Sequence, residues 1–372
     1  MTDIFICAGE ASGDLIGASL IKDLKEQNPS LSIAGVGGRH MKDLEIDLVE
    51  SIDQLQVMGF IHVFRHLPRL FKIFRKLRRY LLNKPPKVIV FIDYPGFNLR
   101  LARQLRKKGF NGQIVHYVCP SVWAWGKDRI KIIENNIDLL LCLLPFEPAL
   151  FNPKKIKAIY IGHPLVKQIS CTNKNIERKE NLIALFPGSR RKEIEKNLPL
   201  QIASMQPFNS LHIGISVASI SYMPMIAKIV ESSGLSHSRV SFYRREKSYD
   251  LMRQAFLAIA KCGTTILELA LHKTPTIVVY HMNKIDTVLA RHLFKINLPF
   301  YSLPNIILQK EVFPELIGPN LSFVKLKETL SGFLSSKTRR ENCQDKCSEL
   351  VTQLETTTSS VSAASLILKL IS

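Results

Sequence analysis

The sequence has no uninterrupted apolar stretch of the roughly 18 residues that a membrane-spanning helix needs. Its seven cysteines are odd in number and widely scattered, which argues against a disulfide framework and indicates a reducing compartment. No charged leader followed by an apolar run marks a secretory signal. We therefore expect a cytosolic globular protein, with 372 residues and 46% hydrophobic content that suffice for two domains.

Acidic residues are absent between Asp53 and Asp93, in a chain whose formal net charge is +20. Apolar side chains recur at three- and four-residue intervals from Phe60 to Leu81, and most basic side chains fall off that stripe. The pattern is typical of a surface helix packed on a core. It is also typical of a helix on anionic lipid, where each basic residue contributes about 1 kcal/mol. The lack of acidic neighbours favours the membrane interpretation.

Short apolar strands alternate with helices in two successive halves of the chain, which predicts two α/β domains with parallel sheets. A polar stretch at residues 170–180 is typical of a linker. We expect an N-terminal domain over residues 1–172, a C-terminal domain over 173–335 and a helical tail over 336–372. The predicted strands are 4–8, 31–36, 87–92, 113–118, 138–144, 156–161, 182–186, 210–217, 240–242, 257–260 and 276–280.

The turn Gly9-Glu10-Ala11-Ser12-Gly13-Asp14 follows the first predicted strand and precedes a helix. Ligands of open parallel sheets bind just beyond the carboxyl ends of strands, and glycine lets the backbone approach them closely. Glu10 and Ser12 are therefore candidate site residues. The alternative is that Ser12 or Asp14 only caps the helix.

Two further strand ends in the first half carry candidate residues. Asp93 follows the predicted strand 87–92 in a Pro/Gly turn, where a carboxylate suits acid/base chemistry or, alternatively, caps the next helix. Both tryptophans, Trp123 and Trp125, lie in a Pro/Gly loop after the next strand. Such amphipathic rings suit a wall that faces a sugar or a lipid, although one of them also suits a core position.

The second half carries a pattern typical of phosphate binding. Pro187-Gly188-Ser189-Arg190 ends one strand, and Gly263-Thr264-Thr265 opens a helix after another, where the helix N-terminus attracts a diphosphate. Glu268, one turn into that helix, is placed to bond ribose hydroxyls or is simply a solvated glutamate. The loop 302–305 is a further cleft candidate or an ordinary turn. A sugar-nucleotide enzyme that holds its diphosphate through Mg²⁺ usually needs clustered carboxylates, and no Asp-x-Asp occurs in this sequence. We therefore expect no metal and no cofactor. Without a metal, Arg190 and this helix would stabilise the leaving diphosphate instead.

These motifs, in this order, resemble those of the lipid-A-disaccharide synthase family, which are glycosyltransferases of the GT-B fold (glycosyltransferase family 19). The resemblance extends from about residue 3 to about residue 320. The segments that carry it are Ala8–Asp14, Val57–Phe60, Ile92–Asn98, His116–Trp125, Leu144–Glu147, Ile161–Pro164, Pro187–Arg190, Gly263–Thr265 with Glu268, and Ser302–Asn305.

The resemblance implies two Rossmann-like domains that face each other across a cleft. It implies an inverting transfer in lipid A and lipopolysaccharide biosynthesis, from UDP-2,3-diacylglucosamine to 2,3-diacylglucosamine 1-phosphate (lipid X). The products are a β-1,6-linked disaccharide 1-phosphate and UDP. Asp93 is implied to be the base that deprotonates the acceptor 6-hydroxyl, with Glu10 as the competing candidate or an acceptor-positioning group.

The resemblance also implies binding residues and a location. The residues expected at the UDP site and the cleft are Ser12, Arg190, Gly263, Thr264, Glu268 and Asn305. The residues expected to contact the lipid acceptor are Met58, Phe60, Phe64, Trp123 and Trp125. The basic residues imply peripheral attachment to the anionic cytoplasmic face of the inner membrane.

The sequence departs from the family at Gly96, where many members have a second aspartate. The tail after about residue 330 matches no family motif, and in relatives it packs back on the first domain or exchanges between subunits. The oligomeric state is therefore either a monomer or a homodimer, and the acyl-chain length is open.

Two other classes of protein fit parts of the sequence. A GT-B enzyme with another lipid acceptor, such as the transferase that builds the lipid-linked disaccharide of peptidoglycan, would share the UDP site. The turn at Gly9–Asp14 and the double-tryptophan loop argue against it. A basic, non-enzymatic protein that binds RNA or membrane would use the charge but needs no carboxylates at two strand ends. We expect no nucleic-acid partner.

Overall fold

The computed structural model describes residues 2–55, 60–124, 126–171, 177–282, 298–356 and 362–371. The chain divides into two compact units, of which the first comprises Met1–Gly162 with Thr357–Ser372 and the second His163–Thr356. The domain boundaries expected near residues 172 and 335 stay predictions, because compact units are defined by contacts and domains by independent folding.

The first unit contains a seven-stranded sheet in the order β3-β2-β1-β4-β5-β6-β7, in which every neighbouring pair is parallel. The order reverses between β1 and β4, where Ala8 pairs with Ile92. This pair is the topological switch point of the sheet. The strands are β1 (Ile4–Ala8), β2 (Ile33–Gly37), β3 (Asp47–Ser51), β4 (Val88–Ile92), β5 (Gln113–Tyr117), β6 (Leu139–Cys142) and β7 (Lys157–Tyr160).

Both faces of this sheet are covered by helices, as the fully buried β1 and β4 require. Alternate residues of β1 enter two separate cores: Phe5 packs with α3 and α4, and Ile6 packs with α1 and the C-terminal helix. The helices of this unit are α1 (Ala11–Gln27), α2 (Arg39–Lys42), α3 (Phe60–Asn83), α4 (Pro95–Lys107), α5 (Asp128–Asn136) and the C-terminal helix (Ala363–Leu368).

Helix α3 is amphipathic, as the sequence predicts. Ile73, Leu77 and Leu81 are buried in the core against the sheet. Phe71 is 55% exposed, and the guanidinium carbon of Arg75 lies 4.3 Å from the centroid of its ring. The helix therefore combines a core-facing stripe with an exposed basic and aromatic face. No helix among the described residues is both long enough and apolar enough to span a bilayer.

The second unit contains a six-stranded sheet in the order β10-β9-β8-β11-β12-β13, again parallel throughout. Its switch point lies between β8 and β11. The strands are β8 (Lys179–Phe186), β9 (His212–Val217), β10 (Val240–Arg244), β11 (Ala255–Lys261), β12 (Thr276–Tyr280) and β13 (Glu315–Ile317). The helices are α6 (Pro164–Cys171), α7 (Arg191–Met205), α8 (Met223–Ser232), α9 (Ser248–Gln254), α10 (Thr264–Leu271), α11 (Leu303–Leu308), α12 (Phe323–Ser335) and α13 (Lys337–Thr356).

The C-terminal helix packs on α1 of the first unit, although the chain has run through the whole second unit in between. Ala364, Leu366 and Ile367 are buried in the same core as Ile21. The hydroxyl of Ser365 donates to Oε1 of Gln27 at 2.9 Å. This helix therefore completes one face of the first sheet.

Candidate active site

The switch point of the first sheet brings Glu10 and Asp93 to one edge, because they follow the neighbouring strands β1 and β4. Glu10 precedes the first residue of α1 and is exposed, as is Ser12 in the first turn. The N–H of Asp93 donates to the carbonyl of Tyr117 at 2.9 Å, which extends the sheet by one bond. The two carboxylates expected from the sequence thus lie at neighbouring strand ends.

The backbone at Asp93 is held in an unusual conformation. Asp93 and Tyr94 both have left-handed φ angles, of 46° and 48°. The buried amide of Asn98 secures this turn by donating to the carbonyls of Asp93, at 2.7 Å, and Ile92, at 3.3 Å. Non-glycine residues in this region each cost about 1–3 kcal/mol, and such strain clusters at functional sites.

The carboxyl group of Asp93 is tuned towards accepting a proton. Burial raises its pKa above the ordinary aspartate value, and a bond to the N–H of Tyr94 opposes part of that rise. The pKa of Tyr94 is raised too, mainly by burial and further by the negative charge of Glu10. The carboxylate of Asp93 is therefore more basic than that of an ordinary aspartate, which suits general-base chemistry.

Asp14 has a structural role. Its carboxylate accepts backbone N–H groups of Gly38 at 2.6 Å, His40 at 3.0 Å and Met41 at 3.2 Å. These are the amides that open α2, so Asp14 caps that helix and not α1, which it occupies. The alternative expectation from the sequence is that Asp14 caps the helix that follows this turn, α1. Asp14 is a cap, but of α2.

The loop after β5 packs on the turn after β6. The rings of Trp123 and Phe146 meet edge to face at 5.8 Å. Glu147 accepts the N–H groups of Leu143 and Leu144, and burial raises its pKa to about 7. Its carboxylate and the thiols of the buried Cys119 and Cys142 lie within 4.8 Å of one another. The two backbone bonds account for the position of the carboxylate.

Several residues expected to contact lipid fall on the undescribed part of the chain. Met58 and Trp125 lie outside the described residues. Phe60 and Phe64 belong to α3, and their side chains lie outside the described part. Contacts of these four side chains with an acceptor stay predictions.

The second unit holds a cavity of about 1020 Å³ at the carboxyl ends of β8, β9, β10 and β11. It therefore lies at the switch point of this sheet, where α/β proteins bind ligands. Four of the residues expected at a UDP site line it together. The lining residues that matter for its chemistry are Ser189, Arg190, Glu193, Arg245, Tyr249, Lys261, Gly263, Thr264 and Glu268.

Two helix N-termini open on this cavity without a side-chain cap. Helix α7 begins after Arg190 and α10 begins after Gly263, and neither of these N-cap residues accepts a hydrogen bond from the first backbone N–H groups of its helix through a side chain. The first N–H groups of a helix lack intrahelical partners, and the helix dipole places positive charge there. The cavity is therefore suited to a phosphorylated ligand.

The loop before α7 has a conformation that requires glycine. Gly188 has a φ of 124°, and a Cβ at this position would lie 2.7 Å from Oε2 of Glu193. That oxygen accepts the N–H of Ser189 at 3.1 Å. Oε1 of the same carboxylate lies 3.1 Å from Nζ of Lys261 and 3.7 Å from Arg190. Glu193 thus ties the loop to the neighbouring strand.

Glu268 faces the cavity from the second turn of α10. Burial raises its pKa, whereas a bond from the hydroxyl of Tyr249 to Oε1, at 3.2 Å, lowers it. Tyr249 also packs edge to face against His272, with ring centroids 5.3 Å apart. Glu268 is accordingly held in place with one oxygen bonded, which suits a hydrogen-bond acceptor for ligand hydroxyls.

Asn305 does not line this cavity. Its Oδ1 accepts the N–H groups of Val312 and Phe313, and its Nδ2 donates to Phe313 and Glu315. The side chain is fully buried and bonded within its own unit. The described contacts of Asn305 are therefore structural, and its expected place at the cleft stays a prediction.

Sequence reasoning missed Glu193, Tyr249 and Lys261. Glu193 and Tyr249 lie on helices and Lys261 ends a strand, where such residues usually face solvent. A signal for Lys261 exists in its position, two residues before Gly263 at a predicted strand end. Glu193 and Tyr249 carry no comparable signal.

Two parallel-sheet units, each with a switch point near its centre, are the architecture of the GT-B class of α/β protein. The glycotransferase of kitacinnamycin has a similar fold, with a TM-score of 0.62 over 99% of this chain and 98% of that chain, at 12% identity. The fold class expected from the sequence is confirmed.

The family model for lipid-A-disaccharide synthetase matches residues 4–370, and the chain belongs to that family. It is 38% identical to lipid-A-disaccharide synthase of Chlamydia pneumoniae over 366 residues, which cover 94% of this chain and 60% of that protein. It is 34% identical to the protein of the same name from Saccharophagus degradans, covering 98% and 96%. The chain thus spans only about three fifths of the chlamydial relative and nearly all of the other.

Proposed function

We propose that this protein is an inverting glycosyltransferase of lipid A biosynthesis. It transfers 2,3-diacylglucosamine from UDP to the 6-hydroxyl of 2,3-diacylglucosamine 1-phosphate. Lipid A disaccharide 1-phosphate and UDP are the products. Family membership supports the reaction class. The residues at the two switch points support donor binding by the second unit and acceptor activation by the first.

The cavity of the second unit carries the proposal. Two uncapped helix N-termini and the basic residues Arg190 and Lys261 suit a diphosphate. Glu268 suits the hydroxyls of a ribose. A nucleoside diphosphate carries both the negative charge and the hydroxyl groups that these residues are suited to bind. This complementarity supports a UDP-sugar as the donor.

Asp93 supports the acceptor half of the reaction. The acceptor oxygen forms a bond to C1 of the donor sugar from the face opposite UDP, and its proton passes to the carboxylate of Asp93. The electron pair of the broken C1–O bond leaves with UDP. The raised pKa of Asp93 favours proton uptake. Glu10 at the neighbouring strand end is the competing base or positions the acceptor.

The exposed face of α3 supports attachment to an anionic membrane, at the cytoplasmic face of the inner membrane where the lipid substrates reside. Phe71 suits insertion below the headgroups, and Lys72, Arg75 and Arg79 suit attraction to anionic lipid. The lipid substrates and this surface are the proposed partners.

The test is an incubation of the purified protein in detergent with EDTA and both lipid substrates, followed by mass spectrometry. A disaccharide 1-phosphate and UDP are the expected products.

Asp93→Asn is expected to abolish turnover with UDP affinity unchanged, whereas Glu10→Gln retains measurable turnover if Asp93 is the base. Turnover retained by Asp93→Asn and lost by Glu10→Gln reverses the two roles. UDP binding without product refutes this pair of substrates.

A further inference from the structure

Lys261 is the last residue of β11 and stands at the switch point of the second sheet, beside β8. Its side chain is 17% exposed, whereas that of Arg190 is 83% exposed. A cation that is largely withdrawn from water is screened less and attracts a nearby anion more strongly. Lys261 is thus the better shielded of these two cations of the cavity.

The ammonium group of Lys261 is held from two sides. Its Nζ lies 3.1 Å from Oε1 of Glu193 and 5.0 Å from the centroid of the Tyr280 ring, on which it makes a cation–π contact. Glu193 is fixed in turn by the N–H of Ser189. A lysine has three N–H donors, so the bond to Glu193 leaves others for a ligand.

The space beside this ammonium is open at the N-terminus of α10. A Cβ built on Gly263 would find Nζ of Lys261 as its nearest neighbour, at 3.8 Å, and then the carbonyl oxygen of Lys261 at 4.0 Å. The first N–H groups of α10 have no side-chain cap. The fixed cation and the uncapped helix therefore face the same open volume, which a phosphate group would fill.

We propose that Lys261 is a leaving-group residue, whose ammonium binds the diphosphate and stabilises the charge that develops as UDP departs. Glu193 is the positioning residue that holds it. As the bond between sugar C1 and the β-phosphate oxygen breaks, its electron pair stays on that oxygen, beside the ammonium, which keeps its proton. This role rests on the proposed function and extends it to a residue outside the recognised motifs.

The test compares Lys261→Met with Lys228→Met, which removes the same charge from an exposed position of α8 outside the cavity. Calorimetry measures UDP affinity, and ligand-observed NMR measures uridine affinity. Lys261→Met is expected to weaken UDP binding about 10- to 100-fold and to leave uridine binding within about twofold. Its kcat is expected to fall about 10²- to 10³-fold.

Lys228→Met changes neither affinity. Unchanged UDP affinity in Lys261→Met overturns the role of Lys261.

A second variant separates this role from damage to the fold, because Lys261→Met leaves the carboxylate of Glu193 without its ammonium partner. Lys261→Met combined with Glu193→Gln removes both charges and keeps an oxygen for the N–H of Ser189. We expect a wild-type Tm and the same loss of UDP binding relative to uridine. Wild-type UDP affinity in the double variant overturns the role of Lys261. Failure of the wild-type protein to bind UDP overturns the proposed function itself, and this role with it.

Discussion

The ring of Tyr94 lies directly against Gly9: a Cβ at Gly9 would stand 2.4 Å from Cδ1 and Cγ of that ring. Gly9 follows β1 and Tyr94 follows Asp93 at the end of β4, so this contact joins the two strand ends of the switch point. The hydroxyl of Tyr94 donates to the carbonyl of Leu55 at 3.2 Å and fixes the other end of the ring. The position of Asp93 therefore depends on glycine at residue 9.

Gly9→Ala is expected to displace Tyr94 and to lower the free energy of unfolding by about 1–3 kcal/mol, as overpacking does. Turnover should fall as well, because the turn that carries Asp93 shifts. Denaturant unfolding and the disaccharide assay measure both effects. Gly96→Ala is the control, since a Cβ there meets nothing within 4 Å. Equal stability of the two variants would contradict this account of the contact.

Glu147 provides a prediction about pH. Burial raises its pKa from 4.5 to about 7 in the folded protein, so its contribution to stability is full below about pH 4.5 and is lost as the pH rises from there through about 7. Glu147→Gln keeps an acceptor for the two backbone N–H groups but cannot ionise. We expect the free energy of unfolding of this variant to be close to that of the wild type at about pH 4 and to exceed it by about 1–3 kcal/mol at pH 8.5. The exposed Glu26→Gln should show no such pH-dependent gain, and a constant offset for Glu147→Gln would refute the assignment.

Tyr249→Phe removes the hydroxyl that bonds Oε1 of Glu268. That bond lowers the pKa of Glu268 against the effect of burial, so its loss should raise the pKa further. If ionised Glu268 accepts the ribose hydroxyls, UDP affinity will then begin to fall at a higher pH than in the wild type. Titrations of UDP between pH 5 and 8 measure that midpoint. Tyr243→Phe, outside the cavity, is the matched control, and an identical midpoint in all three proteins would exclude the coupling.

Phe71→Ser tests the membrane face of α3. Because Phe71 is 55% exposed, its loss should not disturb the core, and circular dichroism should remain unchanged. Co-sedimentation with phosphatidylglycerol-containing vesicles should weaken about tenfold, since inserting a phenylalanine contributes about 1.5–3 kcal/mol. Phe323→Ser, which alters an exposed phenylalanine of α12, should bind like the wild type. Equal binding by both variants would locate the membrane contact elsewhere.

Buried strands could be predicted from the sequence, and so could the edge strands β7 and β10, whereas the edge strands β3 and β13 could not. The apolar run Ile4–Ala8 forms β1 over the predicted residues, and β4 and β5 differ from prediction by one residue each. Strands β3 and β13 were not predicted. Both lie at sheet edges and none of their residues is fully buried, so their sequences lack the continuous apolar pattern of a central strand.

The candidate site could be predicted where the functional residue follows a strand directly. Arg190 and Gly263 line one cavity because strand ends of a parallel sheet converge on one edge, and Glu268 lines it from the second turn of the helix that follows Gly263. The role of Asp14 could not be predicted, since its partners lie 24 to 27 residues further along the chain. Asn305 likewise bonds amides of a following turn that its own motif does not indicate.

The C-terminal helix has a consequence for synthesis of the protein on the ribosome. Ala364, Leu366 and Ile367 cover an apolar face of α1, which is translated more than 300 residues earlier. The first sheet can therefore form early, but the apolar surface of α1 that this helix covers stays exposed while the whole second unit is translated. During that interval the nascent chain exposes an apolar, aggregation-prone surface. Chaperone binding to this surface is expected to end only when residues 363–368 have left the exit tunnel.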